Sequence, residues 1–298
     1  MSTPTSVRRL GKRLLGYKGS DLVRRALGKS APAIADYRRR LAGKCALEIG
    51  GPSKSFGDEG GLPLYSILEN VDNCLFSSKT IWNDDVQEAK FRYHPHREFG
   101  HQFLCEATDL AQIPDSSYEL VLASHCLEHI ANPLRALQEW KRVLTETGFL
   151  LLVLPHKDGT FDWRRPTTSL EHVIQDYHNE VGEDDLTHLA EVLALHDSGR
   201  DLSSGSAEEF MQRCVENKVY RAIHHHVFTT LSASLLVDYA GYRLVDVTPS
   251  LPINIVILAM KSATRPDNSG FLNPDARSYR RSPFPSDKVP TRGCEQIC

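Results

Sequence analysis

At 298 residues, with 41% hydrophobic and 24% charged side chains, the chain is long and apolar enough for one large domain or one domain with a substantial insertion. No apolar run approaches the roughly 20 residues of a membrane helix, and the N-terminus has no continuous apolar stretch of the kind a secretory leader carries. The net charge of −3 conceals an asymmetry: residues 1–44 hold twelve Lys/Arg against Asp21 and Asp36, so the remainder is strongly acidic and ill suited to a nucleic acid partner.

Residues 1–42 predict a basic helical segment. Val7, Leu10, Leu14 and Leu15 alternate with Arg8, Arg9, Lys12 and Arg13, a pattern that suits a docked helix, an anionic membrane or protein partner, or an organellar presequence. Strand signals follow at Cys45–Gly50, Ser66–Val71, Phe103–Thr108, Leu120–Ser124 and Phe149–Pro155, the last nearly all apolar. Between the fourth and fifth lies a helix, with Asn132 as its cap, Pro133 in its first turn, and Leu134, Leu137, Trp140 and Leu144 at helical spacing before Gly148. Residues 156–222 break the pattern, being polar and rich in His, Asp and Glu, with a helix expected at Asp184–His196. A helix at Thr229–Ala240 and strands at Tyr242–Thr248 and Asn254–Lys261, suited to an antiparallel edge hairpin, complete the order. Residues 263–298 are Pro-, Ser- and Arg-rich and predict a mobile tail. The alternation implies a parallel α/β sheet with right-handed crossovers over residues 43–155, a substrate-side insertion at 156–222, and a return to the sheet at 223–262. Seven cysteines without a C-x-x-C pair point to reduced thiols and a cytoplasmic setting.

The first strand ends in Glu48-Ile49-Gly50-Gly51-Pro52-Ser53-Lys54. A dinucleotide site needs small residues and free N–H groups through this turn to approach a pyrophosphate, and Pro52 and Lys54 deny both. A ligand with an adenosyl group and no phosphate suits the turn better. Carboxylates accept hydrogen bonds from ribose hydroxyls and an exocyclic amine, and acids recur near successive strand ends. Asp72, 24 residues after Glu48, is placed for the ribose with Glu69 as its rival, and Asp109 with Leu110 for the adenine.

Residues 45–155 resemble the class I S-adenosylmethionine-dependent methyltransferases, specifically the methyltransferase type 11/12 group. The resemblance is carried by Ala46-Leu47-Glu48-Ile49-Gly50-Gly51, by Asp115 through Leu122, by Leu127-Glu128-His129-Ile130, and by Asn132-Pro133-Leu134 through Arg142-Val143-Leu144, Gly148 and Pro155. It implies a Rossmann-like seven-stranded sheet with helices on both faces and S-adenosyl-L-methionine as methyl donor. It further implies that Glu48, Gly50 and Gly51 hold the methionine end, Asp72 the ribose, Asp109 and Leu110 the adenine, and that Ser124 and His125 face the sulfonium and acceptor. The Asn-Pro-Pro-aromatic motif of amino-methylating relatives is replaced here by Ser124-His125-Cys126-Leu127, which favours an oxygen acceptor, on a glycan or small molecule, over nitrogen or carbon. A non-catalytic cofactor-binding scaffold is the remaining alternative.

Thirteen histidines fall between 94 and 226. His125-x-x-Glu128-His129 has the letters of a zinc peptidase motif, but it sits directly after a strand, and it leaves His125, Glu128 and His129 as candidate ligands of a divalent metal. Hydroxyl methylation requires the acceptor to lose a proton, so imidazoles near the strand ends are candidate bases: His156 after the fifth strand, His226 before the last helix, and His129.

Overall fold

Apolar side chains at every second position of Ala46–Ile49, Leu120–Ala123 and Leu150–Leu154 face opposite sides of one sheet, and this alternation sets the two layers of the core. The computed structural model describes residues 34–80, 90–201, 204–273 and 275–288. The basic helix expected within residues 1–33 lies outside them, as do residues 289–298 of the expected tail. Strands β1 (Cys45–Ile49), β2 (Asn70–Leu75), β3 (Gln102–Leu104), β4 (Tyr118–Ser124) and β5 (Leu144–Pro155) run parallel. Strand β6 (Tyr242–Ser250) pairs with β7 (Asn254–Lys261), and β7 lies antiparallel against β5. The seven strands take the order β3-β2-β1-β4-β5-β7-β6, so the topology reverses between β1 and β4 and opens a crevice at their carboxyl ends.

One face is covered by α2 (Pro133–Val143) and α7 (Thr230–Tyr239), which bury Leu134, Leu137, Trp140, Leu236 and Val237 on the sheet. Asn132 caps α2 as its sequence implies, its side chain accepting from Arg135 N at 3.1 Å. The helix ends at Val143, and β5 starts at Leu144, before Gly148 is reached. The other face meets α1 (Ile34–Leu41) and irregular chain carrying Phe56, Leu64, Tyr65, Phe91 and Tyr93. No helix follows β1 in the described residues, and Gly50 through Leu64 is a folded loop.

Several strand bounds differ from those the sequence suggests: β4 and β5 begin earlier, at Tyr118 and Leu144, β6 runs on to Ser250, and β2 and β3 shift in ways that bear on the site. Strand β2 begins at Asn70, because Tyr65–Ile67 forms a 3-10 turn and the buried run is Val71, Cys74 and Leu75. Strand β3 stops at Leu104, since only Gln102–Leu104 finds partners on β2.

The insertion contributes α3 (Leu170–His178), α4 (Leu189–Leu195), α5 (Ala207–Val215) and α6 (Asn217–Tyr220), the helix expected at Asp184–His196 being confined to α4. It has a small core of Val192, Phe210, Cys214 and Ile223. Arg165, 1% exposed, ties it together, donating to Asp162, Glu191 and the His224 carbonyl. Residues beyond 263, expected as a mobile tail, instead strap onto the fold as far as Lys288. Tyr279 and Phe284 are each 2% exposed, and Asp287 accepts from Thr230 N and Oγ1.

Candidate active site

At the crevice, the turns after β1 and β4 lie against one another. Gly50 has a φ of +79°, and a Cβ there would stand 3.3 Å from Cys126 Sγ, so a side chain would both strain the turn and crowd its neighbour. Asn73 ties the next residue from β2, accepting from Gly51 N at 2.9 Å and donating to Gly51 O at 3.1 Å. Glu48 is fully buried beneath the turn. Its Oε1 accepts from Ser53 N at 2.9 Å and its Oε2 from Tyr65 OH at 2.7 Å, and a Cβ on Gly51 would meet the carboxylate at 2.4 Å. Burial raises its pKa to about 7 despite those two donors. Glu48 therefore braces the turn from below. Beside it opens a cavity of about 390 Å³ lined by Gly51, Pro52, Leu75, Phe91, Phe99 and Gln102.

The acids expected at the adenosyl end are placed differently. Asp72 is the third of six residues in β2, not its last, and its carboxylate accepts from Tyr118 OH and His101 N, both at 2.7 Å. The end of β2 is Leu75, followed by Phe76. Leu110 is buried in the core with no exposed surface. Asp109 is exposed, accepts from Ala111 N, and faces a separate groove of about 660 Å³ with Arg135, Glu139, Arg142 and Tyr177. The acid nearest the end of β3 is Glu106, which pairs with Arg221 at 2.6 Å, while the Arg221 guanidinium lies 4.5 Å over Phe76.

Past β4 the structure brings several candidates together. Ser124 Oγ lies 2.9 Å from Ser55 Oγ. His125 adopts the left-handed region, φ +52°, an uncommon conformation for a residue with a side chain, and its Nε2 lies 2.9 Å from Asn254 Oδ1. Glu128 is 1% exposed and neither carboxylate oxygen has a hydrogen-bond partner; burial raises its pKa. His129 holds Ile223 O at 3.2 Å through Nδ1, and its ring stands edge-on to His224 at 4.5 Å. Of the three candidate metal ligands, Glu128 and His129 converge with His224, their donor atoms within 4.8 Å of one another, and His125 is outside that group.

His224 and Asp162 were not singled out as site residues by the sequence. His224 Nδ1 lies 2.5 Å from Asp162 Oδ2, and Arg165 holds the other carboxylate oxygen at 3.1 Å. Burial opposes charge on both partners, but their attraction outweighs it: the Asp162 pKa falls to about 2 and that of His224 rises above the ordinary histidine value. The signal available in the sequence was the pairing of a polar stretch after β5, Phe161–Pro166, with the His224–His226 run before α7.

Two of the three candidate bases lie away from this centre. His156 has no exposed surface, is clamped between Asp287 at 3.1 Å and the stacked ring of Phe284, and accepts from Asp158 N through Nδ1. It is an anchor for the C-terminal strap. His226 is 1% exposed, with Nε2 3.2 Å from Ala131 O.

Residues 76–152 match the family described as methyltransferase domain. The matched segment runs from the end of β2 through β5, so residues 76–152 resemble a methyltransferase domain set in the seven-stranded α/β sheet described above. It starts just past β2 and therefore excludes the turn after β1, which here leads into a loop instead of a helix. Among solved structures, the chain is similar to a SAM-dependent methyltransferase from Aquifex aeolicus, at 13% identity over 87% of this chain and 99% of that one, with a TM-score of 0.41. A methyltransferase from Methanosarcina mazei shares 15% identity over 78% and 98% of the two chains, TM-score 0.44, and one from Mesorhizobium loti 14% over 78% and 99%, TM-score 0.43. No curated protein matches. Among the described residues, no helix is long and apolar enough to cross a membrane.

Proposed function

We propose that this chain is a methyltransferase that moves the methyl group of S-adenosylmethionine to a hydroxyl of a glycan or small molecule, with the Asp162–His224 pair receiving the hydroxyl proton. The observation that carries the reading is the 2.5 Å contact between His224 Nδ1 and Asp162, which fixes the tautomer and leaves Nε2 as the basic nitrogen. Ser124, His125 and the Gly50-Gly51 turn border the crevice at the carboxyl end of the sheet, and the cavity of about 390 Å³ beside that turn has the size of a small-molecule site. S-adenosylmethionine supplies an electrophilic methyl on a sulfonium. The acceptor oxygen takes that methyl as the carbon–sulfur bond breaks, the hydroxyl proton passes to His224 Nε2, and Asp162 stabilises the imidazolium. Glu128, buried and without a hydrogen-bond partner, is available to a second acceptor hydroxyl. A cytoplasmic setting is the reading suggested by seven cysteines without a C-x-x-C pair.

Calorimetry of the full chain with S-adenosylmethionine, followed by transfer of a labelled methyl into extracts of a deletion strain, tests the reading. Binding with transfer to a hydroxyl-bearing product is expected. Binding without any transfer favours a scaffold, and transfer to an amine removes the need for the His224 base.

A further inference from the structure

A second group of histidines lies outside the proton-transfer centre. His172 and Asp176, one helical turn apart on α3, share a face. His172 Nε2 lies 3.1 Å from His188 Nε2 and 3.3 Å from Asp176 Oδ2, and His226 Nε2 lies 3.9 Å from the same carboxylate oxygen. One donor atom from each of His172, Asp176 and His226 falls within 4.8 Å of the others. Ligands about 2.0–2.1 Å from a tetrahedral ion stand roughly 3.3–3.4 Å from one another, close to these separations.

Hydrogen bonding accounts for only part of the arrangement: His226 Nε2 reaches Ala131 O at 3.2 Å, a contact that metal binding through Nε2 would replace. A single proton on His172 Nε2 cannot serve both His188 and Asp176. Asp176 is 9% exposed, and its Oδ2, aimed at the histidines, has no hydrogen-bond partner; nor has the buried Nδ1 of His226. A cation placed among the donor atoms satisfies lone pairs that otherwise face one another. Burial also keeps His226 below the ordinary histidine pKa, in the neutral form that a metal binds.

We propose that His172, Asp176 and His226 bind one divalent cation of the zinc type, with His188, whose Nε2 lies 3.1 Å from His172 Nε2, steadying the His172 ring beside it. Two imidazoles and one carboxylate, with an open position for water, are a donor set suited to zinc and ill suited to magnesium or calcium, which prefer oxygen. The ligands come from α3 and from the segment ahead of α7. The ion therefore staples the insertion to the chain that carries His224 back into the sheet, a structural role independent of the acceptor's identity.

The test is calorimetry of the chelator-treated full chain with Zn²⁺ and Mg²⁺, with Co²⁺ absorption as a report of tetrahedral geometry. One equivalent of Zn²⁺ should bind, Mg²⁺ should not compete, and the Co²⁺ form should absorb as a tetrahedral site. Loss of even an outer partner of a metal typically weakens binding by about 10–100-fold, so His172→Ala and Asp176→Asn should each weaken Zn²⁺ binding by about 100-fold or more. The His172 side chain is 38% exposed, so its replacement is compatible with folding, and Asp176→Asn gives a second variant of nearly conserved volume. Glu128→Gln, in the neighbouring group, should bind Zn²⁺ as the parent does. The proposal is overturned if the parent binds no stoichiometric Zn²⁺, or if binding survives His172→Ala and Asp176→Asn, whether or not Glu128→Gln abolishes it.

Discussion

The turns after β1 and β4 occupy equivalent places at the carboxyl end of the sheet, yet they treat a buried carboxylate in opposite ways. Below the first, Glu48 is saturated by Ser53 N and Tyr65 OH, and Asn73 closes the remaining backbone groups. Beyond the second, Glu128 is as deeply buried and neither oxygen has a hydrogen bond. A satisfied carboxylate shapes the backbone. An unsatisfied one costs stability and persists where it can serve a ligand. The contrast separates residues that build the crevice from residues that act in it.

The largest expected effect lies on the acting side. Asp162→Asn leaves the shape of the His224 site but removes the charge that orients its imidazole, and His224→Gln removes the proposed base. Each should lower kcat by about 10²–10⁴-fold, with S-adenosylmethionine affinity within a few-fold of the parent. A kcat within a few-fold in both variants would assign catalysis to positioning alone and merge the two turns into one structural class.

On the building side, the effect is on folding and depends on pH. The folded pKa of Glu48, about 7, lies above its ordinary value of 4.5. The stability associated with the protonated acid is thus complete below about pH 4.5 and is lost as the pH rises through 7. The loss amounts to about 3 kcal/mol. The difference in stability between Glu48→Gln and the parent, from urea titrations at pH 4 to 8, should grow in favour of the variant over that window and then level. A difference independent of pH would show that Glu48 is not the buried acid described. Glu128→Gln is the counterpart: by relieving the unsatisfied carboxylate it should raise stability at neutral pH by about 1 kcal/mol while lowering turnover.

Asp72→Ala sharpens the same distinction from within β2. The replacement strands the Tyr118 hydroxyl and the His101 N–H, at a cost of about 1–3 kcal/mol. Its mark should be a lower denaturant midpoint with nearly unchanged cofactor affinity. A tenfold loss of affinity at unchanged stability would restore this acid to the ribose.

Why some of this was legible in the sequence and some was not follows from distance along the chain. The run from β4 through α2 to β5 is local: apolar strand, Asn132 cap, Pro133 and helical spacing all fall within about forty residues, and each constrains its neighbour. The strand order follows from the alternation of elements. In contrast, a shift of four residues in the start of β2 moved Asp72 from the strand's end to its interior, because Ser66–Val71 and Asn70–Leu75 are both acceptable apolar runs. The Asp162–His224 contact joins residues 62 positions apart, and no local pattern distinguishes His224 from His225 or His226. The strap fails for a related reason: residues poor in aliphatics still pack when Tyr279, Phe284 and Asp287 find prepared partners.

The smallest predicted effect concerns Asp109, the acid the sequence assigns to adenine. Its carboxylate is exposed and accepts from Ala111 N, a turn contact whose removal should cost no more than about 0.5 kcal/mol. It faces the groove beside α2, whereas the strand-end acid is Glu106, held by Arg221 over Phe76. Asp109→Ala should therefore leave S-adenosylmethionine affinity within twofold, and Glu106→Ala, which leaves the almost fully buried Arg221 guanidinium with Glu183 as its remaining carboxylate, should change it by more. Calorimetry on the two variants, side by side, decides which acid borders the nucleoside. If Asp109→Ala proves the more damaging, the end of β3 belongs to the building side of the crevice and the Glu106–Arg221 pair is only its clasp.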